Sequence, residues 1–270
     1  MSALTRWADQ LAGWRIPPPI LATTTESPWV LPRPVFVRRA DRQIADPIGA
    51  THAEAVSALA GPGNVLDIGA AAGASSLSLA GRAPVTEITA VDTDPELLDE
   101  FAARAARLGV RATCVRGAWP DTSTEPADVV IAGNVIYNVS DLAPFVTALT
   151  AAARRVVIVE TAERHPLTAL NELWRHFHGI ERPAGPTADD AVAALAELGI
   201  APRVRRWKRP PTAEHASYQD LLEVTRRRLC LPVGALPEID AVLRRTGVDP
   251  SAPPDLGSSG DDLVTLVWPA

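Results

Sequence analysis

Between residues 63 and 160 short apolar runs alternate with amphipathic stretches at regular intervals. Val65-Leu66-Asp67-Ile68, Ile88-Thr89-Ala90-Val91, Val129-Val130-Ile131 and Val156-Val157-Ile158-Val159 are almost continuously apolar, as parallel strands covered on both faces must be. The pattern predicts strands over 65–69, 87–92, 111–116, 127–133 and 155–160, separated by helices over 74–82, 95–108 and 141–152. The helix over 95–108 is the best specified. Asp94 can cap it, Pro95 suits its first turn, Glu96, Asp99 and Glu100 come early, Arg104 and Arg107 come late, and Gly109 ends it. Leu97, Phe101, Ala105 and Leu108 form its expected buried stripe.

The flanks are less regular. Leu4, Trp7, Leu11 and Trp14 recur at helical spacing and predict a short helix over 4–14. Residues 15–37 carry six prolines and little periodicity. They read as an extended arm lying on the protein, which spares Ile20, Leu21, Trp29, Val30 and Phe36 from water. Asp46-Pro47 signals a helix start, and Gly61-Pro62-Gly63 its end. After Glu160 the alternation breaks into a Trp- and His-bearing segment over 163–186. Then come a helix over 188–198, a strand over 203–208, helices over 217–229 and 237–246, a Pro/Gly/Ser loop over 250–260 and a last strand over 262–268.

With 270 residues, 47% of them hydrophobic, the chain can bury a sizeable core. A formal charge of −6 argues against a broad nucleic-acid footprint. Arg203, Arg205 and Arg206, and the run Arg226-Arg227-Arg228, read as solvated faces or carboxylate contacts. Cys114 and Cys230 have neither zinc spacing nor a disulfide framework, which fits a reducing compartment. No signal-like start and no membrane-length apolar run is present, so the default reading is cytoplasmic, with no membrane partner. His176 and His178, two residues apart on a helix, do not share a face, so no metal is expected.

The chemistry centres on Val65-Leu66-Asp67-Ile68-Gly69-Ala70-Ala71-Ala72-Gly73, a buried strand running into a glycine-punctuated turn. Such a turn lets backbone approach a ligand closely, and a helix behind it favours an anionic group. Asp92 ends the next strand, 19 residues past Gly73, where doubly wound folds place the acid that grips a ribose diol. The dinucleotide fingerprint would need glycine at 71 and 74, and both are alanine.

Asp67-Ile68-Gly69-Ala70-Ala71-Ala72-Gly73 instead resembles motif I of the class I S-adenosylmethionine (SAM) methyltransferases, with Ala71 in the middle glycine position, tolerable where φ stays negative. Val91-Asp92-Thr93-Asp94-Pro95-Glu96-Leu97-Leu98 resembles the second motif of that family. Asp128-Val129-Val130-Ile131-Ala132-Gly133-Asn134-Val135-Ile136-Tyr137-Asn138-Val139 resembles the fourth. The resemblance implies an α/β doubly wound, seven-stranded, mostly parallel sheet in the order 3-2-1-4-5-7-6, its last strand antiparallel, with helical cap insertions. Residues 1–45 would be an N-terminal helix and arm belonging to the cap. Residues 46–270 would be the SAM-binding domain, with cap insertions at about 163–186 and 210–258.

It also implies roles. Asp67 would meet the SAM amino group; Gly69, Ala70 and Gly73 would give backbone contacts; Asp92 and Thr93 would hold the ribose. Gly117, Ala118 and Trp119 would receive the adenine, and Asn134 and Val135 would face the cofactor where the methyl group emerges. Asn138 stands where many relatives carry histidine. The catalytic residue is open. Tyr137, Glu160, His176 and His178 are the candidates; Tyr137, Glu160 and at least one of the two histidines are expected to line a single pocket contiguous with the SAM site, with His165 nearby. The expected activity is in-line methyl transfer to a small-molecule acceptor, leaving S-adenosylhomocysteine (SAH). A catalytically silent SAM- or SAH-binding protein acting through a partner is the alternative. An NAD-dependent oxidoreductase is disfavoured by the missing glycines.

Overall fold

The computed structural model describes residues 1–270. Seven strands form one sheet: β1 Gly63–Ile68, β2 Val85–Asp92, β3 Ala112–Arg116, β4 Ala127–Gly133, β5 Ala153–Ala162, β6 Arg203–Lys208 and β7 Asp262–Pro269. Their spatial order is β3-β2-β1-β4-β5-β7-β6. The first five run parallel, and β7 lies antiparallel between β5 and β6. This is the sheet the motifs imply.

Ten α-helices surround it: α1 Ala3–Ala12, α2 Pro18–Leu21, α3 Arg33–Ala45, α4 Ala50–Ala58, α5 Pro95–Leu108, α6 Leu142–Ala152, α7 Asn171–His178, α8 Ala188–Glu197, α9 Tyr218–Arg228 and α10 Leu236–Arg245. Alternation along the strands divides the core in two. Leu66, Ile68, Val130, Val157 and Leu266 point to one face, under Trp7 of α1, Phe145 and Leu149 of α6 and Leu195 of α8. Val65, Ile88, Val129, Ile131 and Ile158 point to the other, under Ala55 of α4 and Leu98, Phe101 and Ala105 of α5. A third apolar core lies apart from the sheet. It joins Ile16 to Leu173 and Trp174 of α7, Leu222 of α9, and Ile239 and Leu243 of α10.

Several local expectations are corrected. The helix expected over 74–82 is a single 3-10 turn, Leu77–Leu79. Serine side chains there make local bonds that compete with a helix ladder: Ser76 Oγ donates to Asp67 and Ser78 Oγ to the carbonyl of Ser75. No helix dipole therefore stands behind the glycine turn. The arm is not extended throughout, since α3 begins at Arg33 with Pro34 in its first turn. Asp46 closes α3 instead of opening the next helix, which starts at Ala50. On α5, Leu108 is exposed. Arg104 is buried in its place, paired with Asp41 of α3 at 2.9 Å and with Glu100 at 2.6 Å. Of the two readings of the basic run of α9, Arg226 follows the carboxylate one, buried against Glu26 (2.6 Å) and Glu223 (2.9 Å), and Arg228 is buried rather than solvated. Trp7 and Trp14 are buried, their indole N–H groups donating to the carbonyls of Val139 (2.8 Å) and Gly185 (2.7 Å), whereas Trp29 stays about half exposed.

Candidate functional site

A cavity of about 560 Å³ opens at the carboxyl ends of β1, β2 and β4. Its floor is the turn after β1. The chain leaves Ile68 with Gly69 at φ +68°, Ala71 at φ +45° and Gly73 at φ +95°. The positive φ of Ala71 corrects the expectation of a negative one. It costs about 1–2 kcal/mol, and the Ala71 N–H gains a 2.8 Å bond to Asp92 Oδ2. Asp92 Oδ1 accepts the Asp94 N–H at 2.9 Å. Both oxygens are thus pinned by backbone, and the carboxylate lines the cavity beside Thr93, Gly69 and Ala70. Gly73 does not line it. A Cβ at Gly73 would strike Leu77 and come within 3.0 Å of Phe101, so this glycine lets the turn settle onto the core.

Asp67 lies beneath the turn rather than in the cavity wall. Its Oδ2 accepts Ser76 Oγ at 2.5 Å, while Oδ1 is buried without a partner. Burial, opposed by the Ser76 hydrogen bonds and aided by the nearby Asp92 charge, pushes its pKa up to about 7. The unfolded chain loses this proton near pH 4 and the folded one near pH 7. Stability therefore falls as pH rises across that interval, by an amount on the order of 4 kcal/mol. Asp67→Asn is expected to melt higher than the parent at pH 8 and close to it at pH 4. Parallel melting curves for the two proteins across that range would contradict this.

At the end of β4, Asn134 takes φ +59°, tolerable for asparagine. Its N–H donates to the Glu160 carbonyl at 2.9 Å and its Nδ2 to Glu160 Oε1 at 2.7 Å. Asn134 lines the cavity with its Oδ1 buried and unpaired, as do Val135, Tyr137 and Asn138. Glu160 does not: it is spent on orienting Asn134. Gly117, Ala118 and Trp119 form the wall next to Asp92. The Gly117 N–H donates to the Asp92 carbonyl at 3.0 Å, and Trp119 Nε1 is buried without a partner.

At least one of His176 and His178 is expected here, and both lie elsewhere. Helix α7 turns Leu173 and Trp174 into the third core, which carries His176 out to Glu238 (3.0 Å) and sends His178 Nε2 to the carbonyl of Leu229 (2.7 Å). Neither reaches the cavity. His165 does, stacked on Trp14 at 4.4 Å and edge-on to Tyr137 at 5.8 Å. Burial brings its pKa down to about 4. Its Nδ1 accepts the Leu167 N–H at 3.3 Å, which assigns the proton of the neutral ring to Nε2. His165 then carries its proton on the side where the Tyr137 backbone is a hydrogen-bond partner, and it is a donor, not a base. Burial also raises the Tyr137 phenol well above its ordinary range.

A buried ionic cluster, unforeseen from the sequence, backs the far wall. Glu214 and Asp255 are 0% and 1% exposed in their side chains. Arg39 pairs with Glu214 at 2.6 Å and Asp255 at 3.4 Å, Arg209 with Asp255 at 2.7 Å, and Arg42 with Glu214 at 2.6 Å. Burial alone would raise the Asp255 pKa. Arg39, Arg209 and the Ser258 and Ser259 hydroxyls instead hold it well below the usual carboxylate range. Arg39 and Ser258 reach the cavity, as does Arg228. The acids stand in proline-broken loops with no periodicity, so no sequence signal pointed to them.

Residues 65–157 match the family model described as a methyltransferase domain. No curated protein matches the sequence. Among solved structures, the YcgJ protein of Bacillus subtilis is 17% identical, covering 81% of this chain and 97% of its own, with a TM-score of 0.52. A putative methyltransferase of Bacillus halodurans is 14% identical over 82% of this chain and 99% of its own, at 0.53. Magnesium protoporphyrin IX methyltransferase of Synechocystis, solved with bound SAH, is 14% identical over 87% and 83%, at 0.51. These likenesses speak for the fold. Over residues 65–157 the chain thus matches a methyltransferase domain, set in a sheet of the order expected for the class I fold.

Proposed function

We propose that this protein transfers the methyl group of SAM to a small-molecule acceptor held in the same cavity. One observation carries the reading: a single space runs from Asp92 and the Gly69 turn to Tyr137, His165 and Arg228. The residues fit the cofactor. Asp92 keeps lone pairs free for a vicinal diol after binding two backbone N–H groups. The buried, unpaired Asn134 Oδ1 and Trp119 Nε1 offer an acceptor and a donor that nothing in the protein uses. Asp92 and Thr93 would hold the ribose, Gly117 to Trp119 the adenine, and Gly69, Ala70, Asn134 and Val135 the amino-acid end.

Bound SAM supplies an electrophilic methyl group that passes to a nucleophile by in-line displacement. The chain's share is to align the acceptor and to exclude water. The arm at 28–31, the His165–Leu167 turn and Gly257-Ser258 line the side of the cavity facing the β1 turn, and we read residues 1–45, 163–186 and 210–258 as one cap. His165 donates and Tyr137 holds its proton, so neither serves as a base. The acceptor would bring its own lone pair.

Thermal denaturation with nucleosides tests this. SAH at about 100 times its dissociation constant should add about 2.7 kcal/mol of stability by mass action, while NADH and ATP at equal concentration add none. Stabilisation by NADH but not SAH would refute the reading.

A further inference from the structure

We propose that the acceptor carries a carboxylate and that Arg228 is its anchor, an assignment resting on the function proposed above. Arg228 stands at the C-terminal end of α9. It is 7% exposed and lines the cavity, yet its Nε and Nη1 have no hydrogen-bond partner. A buried guanidinium without hydrogen-bond partners is costly, and only the field of a nearby carboxylate offsets part of that cost. The charged neighbour that acts on it most strongly is Asp255, which is already engaged by Arg39 and Arg209. The fold also makes room for the group, because a Cβ at Gly257, which sits at φ +76°, would come within 2.6 Å of Arg228 Nη1.

Charge sets the class of ligand. Around this end of the cavity, Arg39, Arg209 and Arg228 are each nearly buried, against the buried carboxylates of Glu214 and Asp255. One cation is left over, and it is Arg228. A single negative charge matches the surplus and suits a guanidinium; a dianionic phosphate would overfill it.

Position sets the owner of the carboxylate. Asp92 and the Gly69 turn belong to β2 and β1. Arg228 lines the cavity with Tyr137, His165 and Ser258, and acts electrostatically on Tyr137 and His165. Tyr137 itself lies edge-on to His165 and 3.4 Å from the Ser258 carbonyl. Tyr137, His165 and Ser258 stand just past β4, just past β5 and just before β7. These strands occupy the other half of the sheet. The anchor thus sits on the side away from the ribose acid, where an acceptor lies. Tyr137 and His165 beside it, with Phe36 and Trp29 also in the wall, suit an unsaturated or aromatic body.

The test uses the full-length protein saturated with SAH and four carboxylate probes: formate, acetate, benzoate and phenylacetate. Benzamide and phenyl phosphate serve as neutral and dianionic counterparts. Calorimetry is expected to show at least one carboxylate, benzoate first, binding at least tenfold more tightly than benzamide and than phenyl phosphate. Arg228→Met should abolish that preference, leave SAH affinity within twofold, and raise the melting temperature of the ligand-free protein by a few degrees. Should the methionine variant fail to fold, Arg228→Lys keeps the charge without the fork, and its carboxylate affinity should fall severalfold with SAH affinity unchanged.

Equal binding of benzoate and benzamide, a carboxylate preference that survives Arg228→Met, or no probe binding at all would overturn the assignment. A preference for phenyl phosphate would overturn the single-charge match. If the variant loses affinity for SAH but not for 5′-methylthioadenosine, which lacks the amino-acid carboxylate, Arg228 holds the cofactor and the assignment to the acceptor fails. Failure of the parent protein to bind SAH defeats the underlying function instead, and is seen before any probe is added.

Discussion

Asp255→Ala is expected to destabilise the protein by about 3–5 kcal/mol, the cost of stripping one partner from a buried ion pair. This corresponds to a fall of roughly 10 °C in melting temperature for a chain of this size. The Asp255 carboxylate accepts the N–H groups of Ser258 (3.1 Å) and Gly260 (2.9 Å), the Ser259 hydroxyl (2.9 Å) and Arg209 Nη2 (2.7 Å). Removing it leaves Arg39 and Arg209 with one buried counter-charge between them, and frees the loop that forms the cavity wall at Gly257-Ser258. Asp255→Asn keeps the shape but presents an amide donor to cations, so a smaller loss is expected. Asp240 provides the control. It pairs with Arg244 one turn away at 2.8 Å on a partly exposed helix face, near the Tyr218 hydroxyl, and its alanine variant should change stability by about 1 kcal/mol or less. Urea titrations of the three variants at pH 7 measure this. An Asp255→Ala loss no larger than that of Asp240→Ala would show that the cluster is wetter than its burial implies.

The sheet was legible because its strands announce themselves. Val129-Val130-Ile131 and Val156-Val157-Ile158-Val159 admit no amphipathic reading, and Asp94-Pro95 with Gly109 brackets α5 at both ends. The turn and Asp92 were legible for a related reason, since a glycine turn and a strand-end acid mark the ligand side of a doubly wound sheet. The acceptor half was not. Its residues come from segments far apart in the chain: Arg39 from the arm helix, His165 from the turn after β5, Arg228 from α9 and Ser258 from a proline-bordered loop. No spacing rule links such positions, and they meet only because the third core draws α7, α9 and α10 together. The same packing explains why the histidine-rich stretch misled. Its density of polar aromatics pointed to a pocket, but the helix phase set by Leu173 and Trp174 turns His176 outward and ties His178 to the Leu229 carbonyl. Glu160 was placed at the right strand end, yet it supports Asn134 instead of facing a ligand.

Asp92→Ala is expected to weaken SAM and SAH binding by tenfold at the least, and by about a hundredfold if both of its functions are lost together. Tenfold, about 1.4 kcal/mol, is what a lost pair of hydrogen bonds to a ribose diol amounts to once solvent competes. The structure adds a second loss. Asp92 Oδ2 accepts the Ala71 N–H at 2.8 Å, and Ala71 is held at φ +45°, a conformation alanine enters at a cost of about 1–2 kcal/mol. Without the carboxylate nothing offsets that cost, and the turn from Gly69 to Ala72 would relax away from the shape that lines the cavity. Ala71→Gly separates the two losses. Glycine accepts positive φ freely, so in the Asp92→Ala background it should recover the part due to the turn and none of the part due to the diol. Asp92→Asn retains one acceptor oxygen and should fall between parent and alanine variant. Isothermal titration with SAH across these proteins reads the partition directly. Unchanged affinity in Asp92→Ala would place the ribose elsewhere in the cavity, and full recovery by Ala71→Gly would mean that the carboxylate serves the turn alone.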